Sequence, residues 1–141
     1  GSEKTELMKK YKDQKIIWHQ YKNEKDLMQE YQKTNYFLLS IDSVGRQKYI
    51  LPGKFSSYLF FKRPIIGFSN KDSALEYYIN NNRLGLFIDI EEKIENNIKK
   101  IEKLFTKDEK FYENQYNNAQ NIYNNYFSSE YVEEQIKKIF I

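Results

Sequence analysis

The sequence predicts an α/β protein built on a parallel sheet with helical crossovers. Three observations carry this expectation: short apolar β-type runs recur, helical patterns of about ten residues separate them, and the chain then becomes wholly helical. Parallel neighbours cannot be joined by a tight turn and need connections of that length.

Taken in order, Glu3 to Asp13 carries Leu7, Met8 and Tyr11 at helical spacing, and Lys15-Ile16-Ile17-Trp18-His19 then switches to a short β-type run. Asn23 is placed to cap a second helix with Leu27, Met28 and Tyr31 on one face. Tyr36 to Ile41 reads as a strand buried on both sides. A helix over Pro52 to Phe61 leads to a strand over Pro64 to Phe68. Ser69 or Asn70 is expected to cap a helix through about Ile79 that turns Ala74, Leu75 and Tyr78 inward, before a strand over Leu84 to Ile88. About four strands are therefore expected.

Beyond Ile88 the spacing of Asp89 with Glu92, and of Thr106 with Glu109, suits capping boxes, and Ser128 or Ser129 opens a terminal amphipathic helix. Three late helices result. Asn114 to Asn125 is rich in Asn but holds Tyr116, Ala119 and Tyr123 at helical intervals, which argues for a helix over a low-complexity linker. No internal repeat is visible.

Composition narrows the class. The 141 residues suit one compact domain, 3–141, and Gly1-Ser2 reads as an expression scar, so the chain is expected to be a fragment of a longer parent. With 40% hydrophobic and 30% charged residues the chain is not of disordered composition. No apolar run approaches the roughly 18 residues of a membrane span. Cysteine is absent, which removes disulfides and thiolate chemistry and fits a cytoplasmic location. The excess of 23 basic over 20 acidic residues is small and interspersed, so no nucleic-acid partner is expected, and a nucleic-acid-binding module is the weakest of the functional readings. His19 is the only histidine, and no metal site is expected. The Gly-Lys-Ser phosphate loop, the nucleophile elbow and the zinc-protease helix are all missing.

In open α/β sheets, ligands sit beyond the carboxyl ends of the strands. The richest such segment follows Ile41: Asp42-Ser43-Val44-Gly45-Arg46-Gln47-Lys48-Tyr49 joins a flexible glycine to two cations and runs into Pro52-Gly53-Lys54. A diphosphate there would meet Arg46, Lys48, Lys54 and the amides of a helix start. An ordinary solvated loop accounts for the same residues.

The stretch Leu51 to Gly67 resembles the donor-binding signature of retaining, GT-B-fold glycosyltransferases of group 1. There a Pro-Ser-Lys-like turn opens a Glu-Tyr-Leu-like helix and a Lys-Pro-Val-Ile-like strand follows. Ala74-Leu75-Glu76, Leu84 to Ile88 and Tyr126-Phe127-Ser128 fall in the family's order. The resemblance implies a Rossmann-like C-terminal half whose acceptor domain lies in a missing N-terminal half. It implies a nucleotide-sugar donor as substrate, no cofactor, and transfer of a sugar to a cell-surface glycan or glycolipid in bacterial polysaccharide biosynthesis. It places the enzyme in the cytoplasm, at the inner face of the plasma membrane through its parent.

Carried over by position, the resemblance implies diphosphate contacts from Gly45, Arg46, Lys48, Gly53 and Lys54. Ser57, Tyr49 and Asp42 would serve the ribose or sugar, and His19, Gln20 and Tyr21 the nucleobase. Tyr49 and Ser57 stand where many relatives carry paired glutamates, and losing a charge-assisted contact of about 1.5–3 kcal/mol bears directly on activity. No catalytic residue is assigned, and the fragment alone is expected to be inactive. The alternative is a catalytically silent subunit or scaffold. An exposed strand edge would allow pairing with a second copy.

Overall fold

The chain divides into two compact units, Gly1–Lys33 and Thr34–Ile141, where the sequence suggests one domain, and the sheet lies wholly in the second. The computed structural model describes residues 2–12, 14–41 and 45–140.

The first unit holds helices α1 (Ser2–Lys10) and α2 (Glu24–Lys33). Asn23 caps α2 as expected, its Oδ1 accepting the Asp26 amide at 2.9 Å. Lys22 pairs with Glu30 at 2.8 Å. The expected strand at Ile16 to His19 does not form. The Ile16 amide turns back to the Gln14 carbonyl, and Ile17 is 81% exposed. A strand exists only with a neighbour to complete its ladder, and two isoleucines beside Lys15 do not provide one.

The second unit carries three parallel strands, fewer than the sequence suggests: β1 (Phe37–Ser40), β2 (Ile65–Ser69) and β3 (Gly85–Asp89), in the order β1-β2-β3. Phe37 lies opposite Ile65, and Ile65 opposite Gly85. A 3₁₀ helix, Gly45–Tyr49, and α3 (Lys54–Phe60) link the first two strands, and α4 (Ala74–Asn81) links the second and third. The three expected late helices follow as α5 (Ile94–Phe105), α6 (Glu109–Tyr126) and α7 (Ser129–Phe140). No helix among the described residues is long and apolar enough to cross a membrane.

Each face of the sheet has its own cover. Phe37 stacks on Tyr58 of α3 with ring centroids 4.1 Å apart, and Phe55 meets Tyr78 and Phe127 edge-on. Opposite, Ile66 and Ile88 pack with Leu104 of α5, flanked by Phe68, Leu86 and Phe111. β1 departs from the expectation of burial on both sides: it is an edge strand, and its Leu38 is 64% exposed.

Helix starts also differ in detail from the sequence expectation. Ser73, not Ser69 or Asn70, caps α4 by accepting the Glu76 amide, because a turn through left-handed Asp72 intervenes. Asp108, not Thr106, caps α6. Asp89 accepts the Glu91 amide instead of opening a helix, and Lys93 takes the α5 cap without a side-chain bond. Ser128 caps α7 through the Tyr131 amide, as expected.

Two glycines set the spacing of the layers. A Cβ at Gly67 would stand 2.4 Å from Ile79 Cδ1, so α4 lies directly on the middle of β2. At Gly85, φ is +148° and a Cβ would stand 2.1 Å from the Ile65 carbonyl oxygen. By contrast Gly53 has helical φ of −55° and open space around it. We predict that Gly67→Ala costs roughly 1–3 kcal/mol by overpacking and that Gly85→Ala costs more, since backbone cannot yield. Gly53→Ala should be neutral or stabilising by up to about 1 kcal/mol. Denaturant unfolding of the three variants measures this order.

Candidate functional site

The carboxyl ends of β1, β2 and β3 open onto three successive loops, the place where such sheets take ligands. The loop after β1 starts with the Ile41 amide donating to the Phe68 carbonyl at 3.0 Å, which ties it to the neighbouring strand. Asp42 lies outside the described residues. The 3₁₀ helix then packs beside α4. Gly45 takes a left-handed φ of 64°, the conformation that favours glycine. Arg46 belongs to this helix, and its side chain lies outside the described ones. Lys48 is half-buried with its Nζ 5.0 Å from the centroid of the Tyr49 ring, and Tyr49 is 67% exposed.

At the start of α3, Gly53, Lys54 and Ser57 are exposed while Phe55, Tyr58 and Leu59 of the same helix are buried. The side-chain periodicity is that of an amphipathic helix whose polar stripe begins at Lys54. The Phe55 amide donates to the Pro52 carbonyl at 2.8 Å, and the Ser56 hydroxyl to the Gly53 carbonyl at 2.9 Å. One amide of the opening turn is thus already engaged, and α3 has only seven residues. The charge of Lys54 and Lys48, more than a helix dipole, is what this edge offers an anion. His19, Gln20 and Tyr21 belong to the other compact unit, where all three are exposed.

The loops after β2 and β3 hold a polar cluster that sequence reasoning missed. Ser69 is fully buried and its Oγ has no partner. Asp89, directly across the ladder, is also buried; its Oδ1 accepts the Glu91 amide at 3.0 Å and its Oδ2 lies 3.5 Å from Lys71 Nζ. Asn70 donates to Glu91, Asn97 donates to the Asp89 carbonyl at 2.8 Å, and Lys100 pairs with Glu92. A groove of about 860 Å³ runs from this cluster along the free edge of β3. The sequence signal for it is a strand ending in Asp and running into Glu91-Glu92, a run whose spacing also suits a helix cap. Among the described residues, no three His, Asp or Glu side chains converge as a metal would require.

At the opposite end of the sheet, Tyr36 and Tyr112 share a hydroxyl hydrogen bond beside Lys62, whose Nζ sits 4.8 Å above the Tyr116 ring. Burial first, and the bond to Tyr112 second, push the Tyr36 phenol above its ordinary value. The hydrogen bond from Lys100 is the main reason that the Glu92 carboxyl is held below the ordinary carboxylate range.

No family model matches the chain, and no curated protein matches it.

The two titrations have opposite signs. Glu92, with its folded value lowered, contributes stability above the ordinary carboxylate value and loses it as pH falls through the lowered one. Lys100→Met should therefore return Glu92 toward the ordinary value, read by carboxyl NMR titration. Tyr36, with its folded value raised, contributes fully below a pH of about 10 and loses that contribution as pH rises further. Tyr112→Phe should bring the Tyr36 ionisation down, measured by phenolate absorbance.

Proposed function

We propose that the second unit is the nucleotide-sugar-binding domain of a glycosyltransferase acting on a cell-surface glycan or glycolipid. One observation supports it above the others. The stretch Leu51 to Gly67 folds as a turn, a short helix and then the central strand of an all-parallel sheet. This is the order that the resemblance implies for a donor site, and Gly53, Lys54 and Ser57 are exposed to solvent.

In this proposal Gly53 lets a diphosphate approach the backbone, while Lys54, Lys48 and Arg46 around Gly45 stabilise the negative charge that develops on the departing diphosphate. Ser57 and Tyr49 serve the ribose or sugar. The acceptor domain and the attachment to the inner membrane face belong to the parent enzyme, and the isolated fragment binds donor without turnover.

A second reading rests on Tyr49, exposed, and Ser57, which replace the carboxylates expected to hold the donor. Under it the fold is a catalytically silent subunit or scaffold, and sugar transfer by the intact parent excludes it.

Calorimetric titration with uridine, guanosine, adenosine, thymidine and cytidine diphosphates tests the main proposal. One of them should bind. Lys54→Ala should weaken that binding about tenfold or more, in keeping with the loss of a charge-assisted contact. Gly53→Val should abolish it while the fold persists. Failure of folded protein to bind any of the five sinks the assignment.

A further inference from the structure

A second cleft, of about 440 Å³, opens at the amino end of β3, remote along the strand from the carboxyl-side loops. Its size falls among those of small-molecule sites, roughly 300–1,000 Å³. We propose that it binds one neutral, polyhydroxylated ring of the hexose class. The proposal is independent of the donor site argued above.

The chemistry of the walls selects that class. Asn80 comes from the end of α4, and Asn114, Gln115 and Asn118 from successive turns of α6. Four side-chain amides each offer a donor and an acceptor, and a sugar hydroxyl offers both in return. An anion would use Arg83 and the amide nitrogens and leave four amide oxygens unmatched. A cation would find no carboxylate, because no Asp or Glu lines the cleft. Phe111 supplies an apolar wall, against which the C–H face of a ring can lie.

Gln115 carries the inference furthest. It is only 4% exposed and its Oε1 has no hydrogen-bond partner, although buried acceptors are nearly always paired. Gln115 lines the cleft while this oxygen is sealed from solvent, so a ligand hydroxyl completes it once the side chain turns toward the cleft. A chain built for stability alone would place an apolar residue there.

The rim is formed where α4 terminates, the Arg83 amide donating to the Asn80 carbonyl and the Leu84 amide to the Ile79 carbonyl. Arg83 adopts a left-handed φ of 52°, uncommon for a side chain of its size, and its carbonyl accepts Asn118 Nδ2 at 3.4 Å. Among the described residues no acidic group pairs with its guanidinium, which leaves that group as a further donor at the mouth.

The test uses the whole 141-residue chain, isotopically labelled and titrated separately with glucose, galactose, mannose and inorganic phosphate. A hexose should shift the side-chain amide signals of Asn80, Asn114, Gln115 and Asn118 saturably, and phosphate should not. Asn114→Ala, a change at an exposed position, should weaken binding about tenfold. Gln115→Met should raise the melting temperature and abolish the hexose shifts. Asn125→Ala, outside the cleft, should leave them intact. The proposal is overturned if no hexose gives saturable shifts, if phosphate reproduces them, or if Gln115→Met binds like the parent chain.

Discussion

The closeness of α4 to β2 is the constraint on which the second unit depends. Gly67 leaves no room for a methyl group beneath Leu75 and Ile79, both fully buried, so the helix rests on the backbone of the strand itself. Gly85 does the same within the sheet, where the start of β3 lies against the Ile65 backbone. Such contacts are stiff, because close-packed interiors transmit displacement instead of absorbing it. They fix the level at which β2 and β3 end, and hence the juxtaposition of Ser69 and Asp89 across the ladder.

That alignment produces two chemically different strand ends. At the carboxyl side, Lys48 and Lys54 follow β1, whereas Asp89, Glu91 and Glu92 follow β3 and are partly answered by Lys71 and Lys100. Among the described residues, the cations thus gather on the β1 side of the edge and the carboxylates on the β3 side. At the amino side, the first half of α6 supplies tyrosines near β1 and β2 and amides near β3. One helix thus contributes to an aromatic, cation-bearing patch and to an amide-lined cleft free of carboxylates within two turns of each other.

The buried groups that lack partners divide between these ends. Ser69 and Asn97 lie at the carboxyl side, and Gln115 lies at the amino side. Each imposes a desolvation cost that packing alone does not repay. Local departures of this kind are where functional demand most often overrides foldability.

Much of the architecture was legible in the residues alone. Apolar runs at Phe37, Ile65 and Leu86 marked the three strands, and the spacing of Tyr116, Ala119 and Tyr123 marked α6 despite its many asparagines. These signals are local and periodic, so they survive without knowledge of neighbours. The failures were those of pairing and of turn length. Ile16 and Ile17 have strand composition but no ladder partner, and Leu38 has core composition but sits on an edge strand. The left-handed turn at Asp72 moved the α4 cap to Ser73. Of the candidate site residues, Gly53, Lys54 and Ser57 are proposed from their order along the chain. The Ser69–Asp89 cluster and the amide cleft could not be found that way, because each unites segments that are distant in sequence and that meet only when strand register and helix packing are set.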